Sequence, residues 1–200
     1  MDASESQVVV SSSSRGRDAD IVSWQALSEE AYKAFEKKRY VQAEERFQDA
    51  LKLAEGLTTA KLAAKAASSE DRQDFERLTK SLNNLAALYH LQGKYEMAEA
   101  MYDRCLDLKL DLYGDDHLEV AVNLHNLAAL QCAKLRWEKA EILYTRALEI
   151  REKHLGNEHA DLMPILKNYA IMLRKIKRDD EAQAMEERKS RIESLVAAAK

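Results

Sequence analysis

Three asparagines carry the side chains in this sequence that are best suited to binding chemistry: Asn84, Asn126 and Asn168. They are equally spaced, because their position numbers differ by 42 at each step. Each lies within a helical pattern, although asparagine is a mediocre helix former that competes for backbone hydrogen bonds. At about 100° per residue, Asn84 projects roughly opposite the apolar stripe that begins at Leu82. An amide offers both donors and an acceptor, so a ladder of amides could hold the backbone of an extended peptide whatever its sequence. The alternative is that these amides solvate a helix face or bridge neighbouring repeats.

Further polar residues share the same helix faces, and most of them are basic. They are Lys80, Asn83, His125, Lys167, Arg174 and Lys175. Their charge favours a ligand that carries acidic residues, through complementarity rather than a large gain in affinity. An ordinary solvated face of charged residues explains the same pattern equally well.

Metal binding and catalysis find little support in the sequence. Histidine and aspartate occur together in Asp115-Asp116-His117 and again in His154, His159 and Asp161, but no cluster of cysteine or histidine completes a four-fold coordination. The chain contains no GxSxG, phosphate-loop, HExxH or glycine-rich nucleotide motif. We therefore expect no catalytic residue, no metal site and no cofactor.

Composition predicts an all-α protein. The chain is 46% hydrophobic and has only five glycines and one proline, so it has little turn chemistry for a β-sandwich or barrel. A charged fraction of 33% with a net charge of −4 gives no general reason to bind nucleic acid. No apolar run of about 18 residues predicts a membrane span. Two separate cysteines, Cys105 and Cys132, suggest a reducing compartment, which we take to be the cytoplasm.

The spacing of the asparagines, called the repeat interval below, is shared by other residues. Ala98, Ala140 and Ala182 keep it, and so do Tyr102 and Tyr144. Self-similarity at a fixed period indicates an array of stacked supersecondary units, and such an array is usually a surface that holds other proteins.

Three regular units follow from the repeat interval, each with a first helix, a short basic turn and a second helix. The first helices are expected near residues 79–91, 120–134 and 162–176, and a charged final helix over 179–198 is expected to seal the array. Two second helices end at Gly114 and Gly156, where glycine can adopt a left-handed conformation. The acidic and amide residues that follow, Asp115-Asp116 and Asn157-Glu158, are expected to cap the next helix.

The chain before the array divides into three expected parts. Residues 1–20 are polar and Ser-rich and predict a flexible tail. Residues 21–54 predict a first helical hairpin, in which Phe47 fills the gap between small alanines. Residues 55–80 predict a helical insert, because Ala43 and Ala98 differ by 55 in position rather than by 42, and 61–67 are read as continued helix.

Small and large residues at these fixed offsets resemble the tetratricopeptide repeat. Pairs that fit are Leu85-Ala86 with Tyr89, Ala98 with Tyr102, Ala140 with Tyr144 and Ala43 with Phe47. The repeat interval is similar to that of the kinesin light chain subclass, and so is the segment from Arg151 to His159. The sequence departs from that subclass at Leu118 and Ala160, where proline is common. No heptad coiled coil precedes the repeats, so a motor subunit is not inferred.

The resemblance implies an all-α, right-handed superhelical solenoid of about four helix-turn-helix units with a C-terminal capping helix. It also implies that the first helices line a concave groove in which asparagines contact a bound peptide. The implied function is a non-catalytic adaptor or scaffold that binds a peptide or short helix of a protein partner. The alternative is a structural subunit or a homodimerising block that uses its outer helix faces.

Overall fold

The chain folds into α-helices throughout the part that the structure, a computed structural model, describes: residues 3–58 and 68–198, with side chains from Gly16 onward. In those ranges the helices are α1 (Ala3–Glu36), α2 (Tyr40–Thr58), α3 (Ser69–Leu91), α4 (Tyr95–Tyr113), α5 (Leu118–Ala133), α6 (Trp137–Leu155), α7 (Met163–Lys175) and α8 (Asp179–Ala198). A 3-10 turn, Ala160–Leu162, precedes α7. No strand occurs within the described ranges, and the predicted all-α class is confirmed.

Two compact units make up the chain, residues 1–88 and 89–200. In the first unit, α1 and α2 pack through small residues, since Ala31 and Ala43 are fully buried. Phe47 lies between these helices with 3% of its surface exposed, and its ring is nearly perpendicular to the Tyr32 ring, at 5.4 Å between ring centroids. Alanines allow two helices to approach closely, and one aromatic ring then fills the remaining space.

The backbone of α1 is helical from Ala3, where the sequence predicts a flexible tail as far as residue 20. Side-chain contacts that anchor α1 begin within that stretch, because Arg17 Nη2 donates to Asp74 Oδ2 of α3 at 2.7 Å. Further along, the Trp24 indole N–H donates to Ser81 Oγ at 2.8 Å. Once a helix is anchored, each added residue gains one hydrogen bond without a new nucleation cost. This accounts for the helical backbone at the start of α1, although its Ser-rich composition does not favour a helix.

Part of the expected insert belongs to α3. That helix begins at Ser69 rather than near residue 79, so the insert adds turns to the N-terminus of a first helix. Ser68 caps it, because its Oγ accepts from the Asp71 N–H at 3.1 Å while Asp71 Oδ2 accepts from the Ser68 N–H at 3.2 Å. This reciprocal pattern is a capping box with aspartate in the third position. Residues 61–67, which are expected to be helical, lie outside the described ranges.

In the second unit, the alanines and tyrosines that keep the repeat interval form the packed seam. Ala98, Ala140 and Ala182 are fully buried, and Tyr102 and Tyr144 expose 2% and 1% of their surface. The interval therefore follows from packing, since each alanine lets its hairpin close and each tyrosine fills the layer beside it.

Ion pairs between second-helix acids and the basic turns recur with the same interval. Glu99 of α4 accepts from Arg136 Nη1 at 3.0 Å, and one repeat later Glu141 of α6 accepts from Arg178 Nη1 at 2.7 Å. Each pair joins one hairpin to the next, so the basic turns that the sequence shows have a structural role.

Histidines, rather than the predicted acidic and amide residues, cap the helices after the linkers. His117 Nδ1 accepts from the Glu119 N–H at 3.1 Å, and His159 Nδ1 accepts from the Asp161 N–H at 3.2 Å. The predicted capping by Asp115-Asp116 and Asn157-Glu158 is therefore wrong. Asp116 instead pairs with Lys153 of α6, so a cation of the next hairpin holds the carboxylate that the sequence assigns to the cap.

The turn inside each hairpin of the second unit requires a positive φ at one position. The glycine there in the first turn, Gly93, has φ of 74°, and the equivalent residues of the next two repeats, Leu135 and Lys177, have φ of 58° and 61°. A residue with a Cβ costs about 1–2 kcal/mol in this region. Gly114 and Gly156, in the linkers, also have positive φ, at 81° and 85°, as their positions predict.

Replacing Leu135 with glycine is expected to raise the free energy of unfolding of the second unit by about 0.5 kcal/mol. The leucine side chain is 69% exposed, so little packing is lost, and relief of the φ strain exceeds the added entropy of the unfolded chain. Urea unfolding followed by circular dichroism measures this difference. Leu135→Ala is the matched control because it keeps the Cβ, and an equal gain in both variants would contradict the explanation.

Candidate functional site

A depression of about 310 Å³ lies between α5 and α7, the first helices of the last two hairpins in the second unit. Its lining residues are Ala129, Cys132, Ala133, Trp137, Tyr144, Asn168, Ile171, Met172 and Lys175. Ala129 and Ala133 lie one turn apart on α5, and their small side chains leave this space open. Such concave, mainly apolar sites with a few polar groups are the usual form of binding sites.

Apolar side chains at the depression remain accessible. Ile171 of α7 is 50% exposed, and Trp137, the first residue of α6, is half-buried against the core of the second unit. Tyr144 supports the site from below, with its ring stacked on Tyr169 at 5.5 Å between centroids. A partner that covered Ile171 and Trp137 would gain about 25 cal/mol for each Å² of apolar surface removed from water.

Two polar groups sit beside these apolar residues. Asn168 Nδ2 lies 2.9 Å from His125 Nε2, so the amide bridges α7 to α5. Lys175 is exposed at the end of α7 and makes no ion pair with the residues that the structure describes. The site therefore offers a hydrogen-bonded amide and an exposed cation beside apolar side chains.

Burial controls the charge of His125. The ring is half-buried beside Tyr144, at 5.9 Å between ring centroids, and burial with a smaller contribution from the Arg151 cation lowers the pKa of His125 to about 4. His125 is therefore neutral at pH 7, and its Nε2 can accept a hydrogen bond from the Asn168 amide.

Stability of the second unit is expected to fall between pH 7 and pH 5 because of His125. Its pKa is near 6.5 in the unfolded chain and about 4 in the folded chain, so the unfolded state binds more protons in this window. The contribution of neutral, buried His125 to the free energy of unfolding is complete above pH 6.5 and is lost as the pH falls towards 4. We expect a loss of about 1–2 kcal/mol by pH 5 after allowance for solvent screening. Chemical denaturation at both pH values measures it.

His125→Gln is the matched control for this pH effect, since glutamine does not titrate and can still accept from Asn168. The difference in unfolding free energy between pH 7 and pH 5 is expected to be smaller in the variant by the same amount. An identical pH dependence in both proteins would show that His125 is not the source.

A related arrangement occurs in the first unit, between α1 and α3. The Asn84 side chain is hydrogen-bonded to the Tyr32 phenol, whose pKa is raised by burial and lowered to a smaller degree by that bond. Nearby, Lys80 Nζ lies 5.8 Å from the centroid of the Trp24 ring, at the edge of a hollow of about 250 Å³. Asn84 thus bridges two first helices, as Asn168 does.

Two of the predicted site residues, Asn168 and Lys175, line the α5–α7 depression, and a third, His125, contacts Asn168. Lys80 and Asn84 contact α1 in the first unit. The contacts of Asn84 and Asn168 show that bridging between repeats, the alternative reading of the sequence pattern, does occur. A bridging amide can still present its remaining polar atoms to a ligand.

The other predicted residues lie on the same helices without joining this cluster. Asn83 of α3 and Asn126 of α5 are half-buried, and Lys167 of α7 is exposed. Arg174 Nη2 pairs with Glu186 Oε2 of α8 at 2.6 Å, so this guanidinium contacts the second helix of its own hairpin.

The apolar residues of the depression are the ones that sequence reasoning missed. A signal for some of them was available, because Ile171 and Met172 follow Asn168 by three and four positions and therefore lie near it on the helix surface. Trp137 carried no such signal, since it begins a second helix and reaches the site from a different element.

Neither a metal cluster nor a spanning helix marks the described part of the chain. No group of three or more His, Cys, Asp and Glu side chains in residues 16–58 and 68–198 could hold a metal ion. Within the same ranges, every helix is too short or too polar to cross a bilayer.

Comparisons with known proteins agree with this geometry. The model of the tetratricopeptide repeat family matches residues 77–153 and 124–191, which together span more than half of the chain. The structure of BtubC (BKLC) from P. vanneervenii is similar, with a TM-score of 0.56 and 24% identity over 88% of this chain and 73% of that chain. No curated protein sequence matches the chain.

Two crystal structures of a Podosopora anserina putative kinesin light chain with nearly identical TPR-like repeats are also similar. Their TM-scores are 0.56 and 0.54, each at 14% identity, and they cover 87% and 86% of this chain and 96% and 95% of their own. The predicted resemblance to repeats of the kinesin light chain type is confirmed.

Proposed function

Because this chain belongs to the tetratricopeptide repeat family, we propose that it is a non-catalytic adaptor that binds an extended peptide of a protein partner between successive first helices. Repeats of this family in general form scaffolds for protein–protein interaction and are in general not catalytic. The observation that carries the more specific proposal is the α5–α7 depression, which combines accessible apolar side chains with an oriented amide.

The apolar side chains of the depression supply most of the affinity in this proposal. Ile171 and Trp137 flank a space that a bulky apolar side chain of a partner can fill, with Tyr144 beneath it. Groove binding by extended peptides commonly combines pockets for such side chains with hydrogen bonds to the peptide backbone. An affinity near micromolar, about −8 kcal/mol, is typical of a partner that associates and dissociates readily.

The polar groups supply orientation. Asn168 would bind the peptide backbone, and Lys175 would favour an acidic residue beyond it. Lys175 is exposed, so its contribution depends on ionic strength and affects the rate of association more than the final affinity. In the first unit, Asn84 and Lys80 provide the same two kinds of group.

Replacing Ile171 with glutamate is expected to weaken peptide binding at least tenfold, because a carboxylate would have to be desolvated in an apolar site. Peptides are first selected from a random display library on the wild-type protein, and the affinity of a selected synthetic peptide is then measured by calorimetry.

Ile142→Glu is the matched control, since Ile142 is 68% exposed on the second helix α6 and does not line the depression. The account predicts normal affinity for this control. Equal affinity in wild type and Ile171→Glu, or equal losses in both variants, would move the binding surface away from α5 and α7.

A further inference from the structure

The hydrogen bond between Asn168 and His125 has a defined direction. Asn168 contributes its amide nitrogen, which can only donate, and this nitrogen lies 2.9 Å from His125 Nε2. Nε2 must therefore accept, so the imidazole is neutral and carries its proton on Nδ1. The reversed amide would require the other neutral tautomer, in which Nε2–H donates to the Asn168 oxygen.

The surroundings of His125 keep it in this acceptor form. Burial, with a smaller contribution from Arg151, lowers the pKa of His125 to about 4. The groups that face it from α6 are the Tyr144 ring and the Arg151 cation, and from α7 the uncharged Asn168 amide. No carboxylate among the described residues contributes to this pKa, so nothing there favours the protonated ring.

With its nitrogen held by His125, the Asn168 amide has its oxygen on the opposite side. That oxygen accepts no hydrogen bond from the residues that the structure describes, and Asn168 lines the α5–α7 depression. In the first unit, the Asn84 side chain is likewise hydrogen-bonded to an aromatic residue, Tyr32. In both units the asparagine side chain is therefore hydrogen-bonded to an aromatic residue of the preceding first helix.

We infer that His125 is a positioning residue, which holds the Asn168 amide so that the depression presents a fixed hydrogen-bond acceptor to the peptide. A bound peptide must then place a backbone N–H at Asn168, and a proline or an N-methylated residue at that position is excluded. The inference rests on the proposed function, because it specifies how the same depression recognises a peptide backbone.

The first test needs no peptide. Nitrogen NMR of the ¹⁵N-labelled full chain at pH 7 distinguishes the two neutral tautomers of His125, since a protonated and an unprotonated ring nitrogen have very different chemical shifts. The inference predicts a proton on Nδ1 and none on Nε2. A proton on Nε2 would mean that the Asn168 oxygen faces the ring, and it would overturn the inference while leaving the proposed function intact.

The second test uses a peptide selected from the display library and an N-methyl scan along its backbone. One methylated position is expected to weaken binding to the wild type roughly 5- to 30-fold, the equivalent of one hydrogen bond left unmade. In Asn168→Leu the same methyl group should cost less than twofold. If every methylated position weakens binding equally in wild type and Asn168→Leu, Asn168 does not contact the peptide backbone.

Two variants of His125 separate positioning from packing. His125→Phe keeps an aromatic ring but removes the acceptor, so the N-methyl effect should shrink towards that of Asn168→Leu. His125→Gln restores an acceptor oxygen and should rescue the wild-type N-methyl effect. Retention of the full effect in His125→Phe would show that His125 does not set the amide orientation. Failure to select any peptide would instead count against the proposed function.

Discussion

Replacing Asp74 with alanine is expected to lower the free energy of unfolding of the first unit by about 3 kcal/mol. The Asp74 carboxylate is fully buried and accepts from Arg17 Nη2 at 2.7 Å and from Arg77 Nη1 at 2.8 Å. Removing the carboxylate leaves the Arg77 guanidinium, with 14% of its side chain exposed, without this counter-charge, and it leaves Arg17 with only its pair to the exposed Glu70. Leaving a buried cation unpaired costs more than the loss of the pair itself. Chemical denaturation followed by circular dichroism measures the change.

The matched control for Asp74 is another aspartate on a helix of the first unit. Asp49 is 44% exposed and pairs with Lys52 three residues along α2, so Asp49→Ala is expected to cost less than about 0.5 kcal/mol. If Asp74→Ala were as mild as this control, the network would not be what holds α1 to the N-terminal extension of α3.

Replacing Tyr144 with alanine is expected to destabilise the second unit by about 4 kcal/mol. Tyr144 exposes 1% of its surface and stacks on Tyr169, so its loss leaves a cavity beneath the depression. Tyr144→Phe keeps the ring and removes only a hydroxyl whose nearest partner is Cys132 Sγ at 4.0 Å, so it should cost less than about 1 kcal/mol.

These two variants distinguish packing from hydrogen bonding at Tyr144. Both are measured by urea denaturation, and Ile142→Ala on the exposed side of the same helix serves as a surface control. Equal losses in Tyr144→Phe and Tyr144→Ala would assign the stabilisation to the hydroxyl and contradict the packing account.

The regular part of the fold could be predicted because its packing repeats. Alanines and tyrosines that keep the repeat interval occupy equivalent buried positions, so one pattern predicted the hairpins from Ala98 to Ala182. The helical start of α1 and the extension of α3 could not be predicted, since they depend on contacts such as Arg17 with Asp74, 57 residues apart in sequence. Nothing in local propensity indicates such a pairing.

The site was only partly predictable for a similar reason. The recurrence of asparagine indicated which helix face carries polar side chains, and Asn168 does line a depression. Its partner His125 and the apolar residue Trp137 reach the same place from α5 and α6, so their proximity depends on how three helices pack. At the linker the local sequence was misleading, because aspartate is a preferred helix cap and Asp116 was therefore predicted to cap α5. In the structure Lys153 of the next hairpin pairs with Asp116, and a histidine caps the helix instead.

Peptide-induced chemical-shift changes in the ¹⁵N-labelled full chain test the central claim most directly. On titration with a selected peptide, the account predicts that the largest changes map to Ala133, the Trp137 indole, the Asn168 side-chain amide and Ile171, with little change around Ile142 on the outer side of α6. Largest changes around Ile142 and on α8, with the Asn168 amide unmoved, would contradict binding between the first helices.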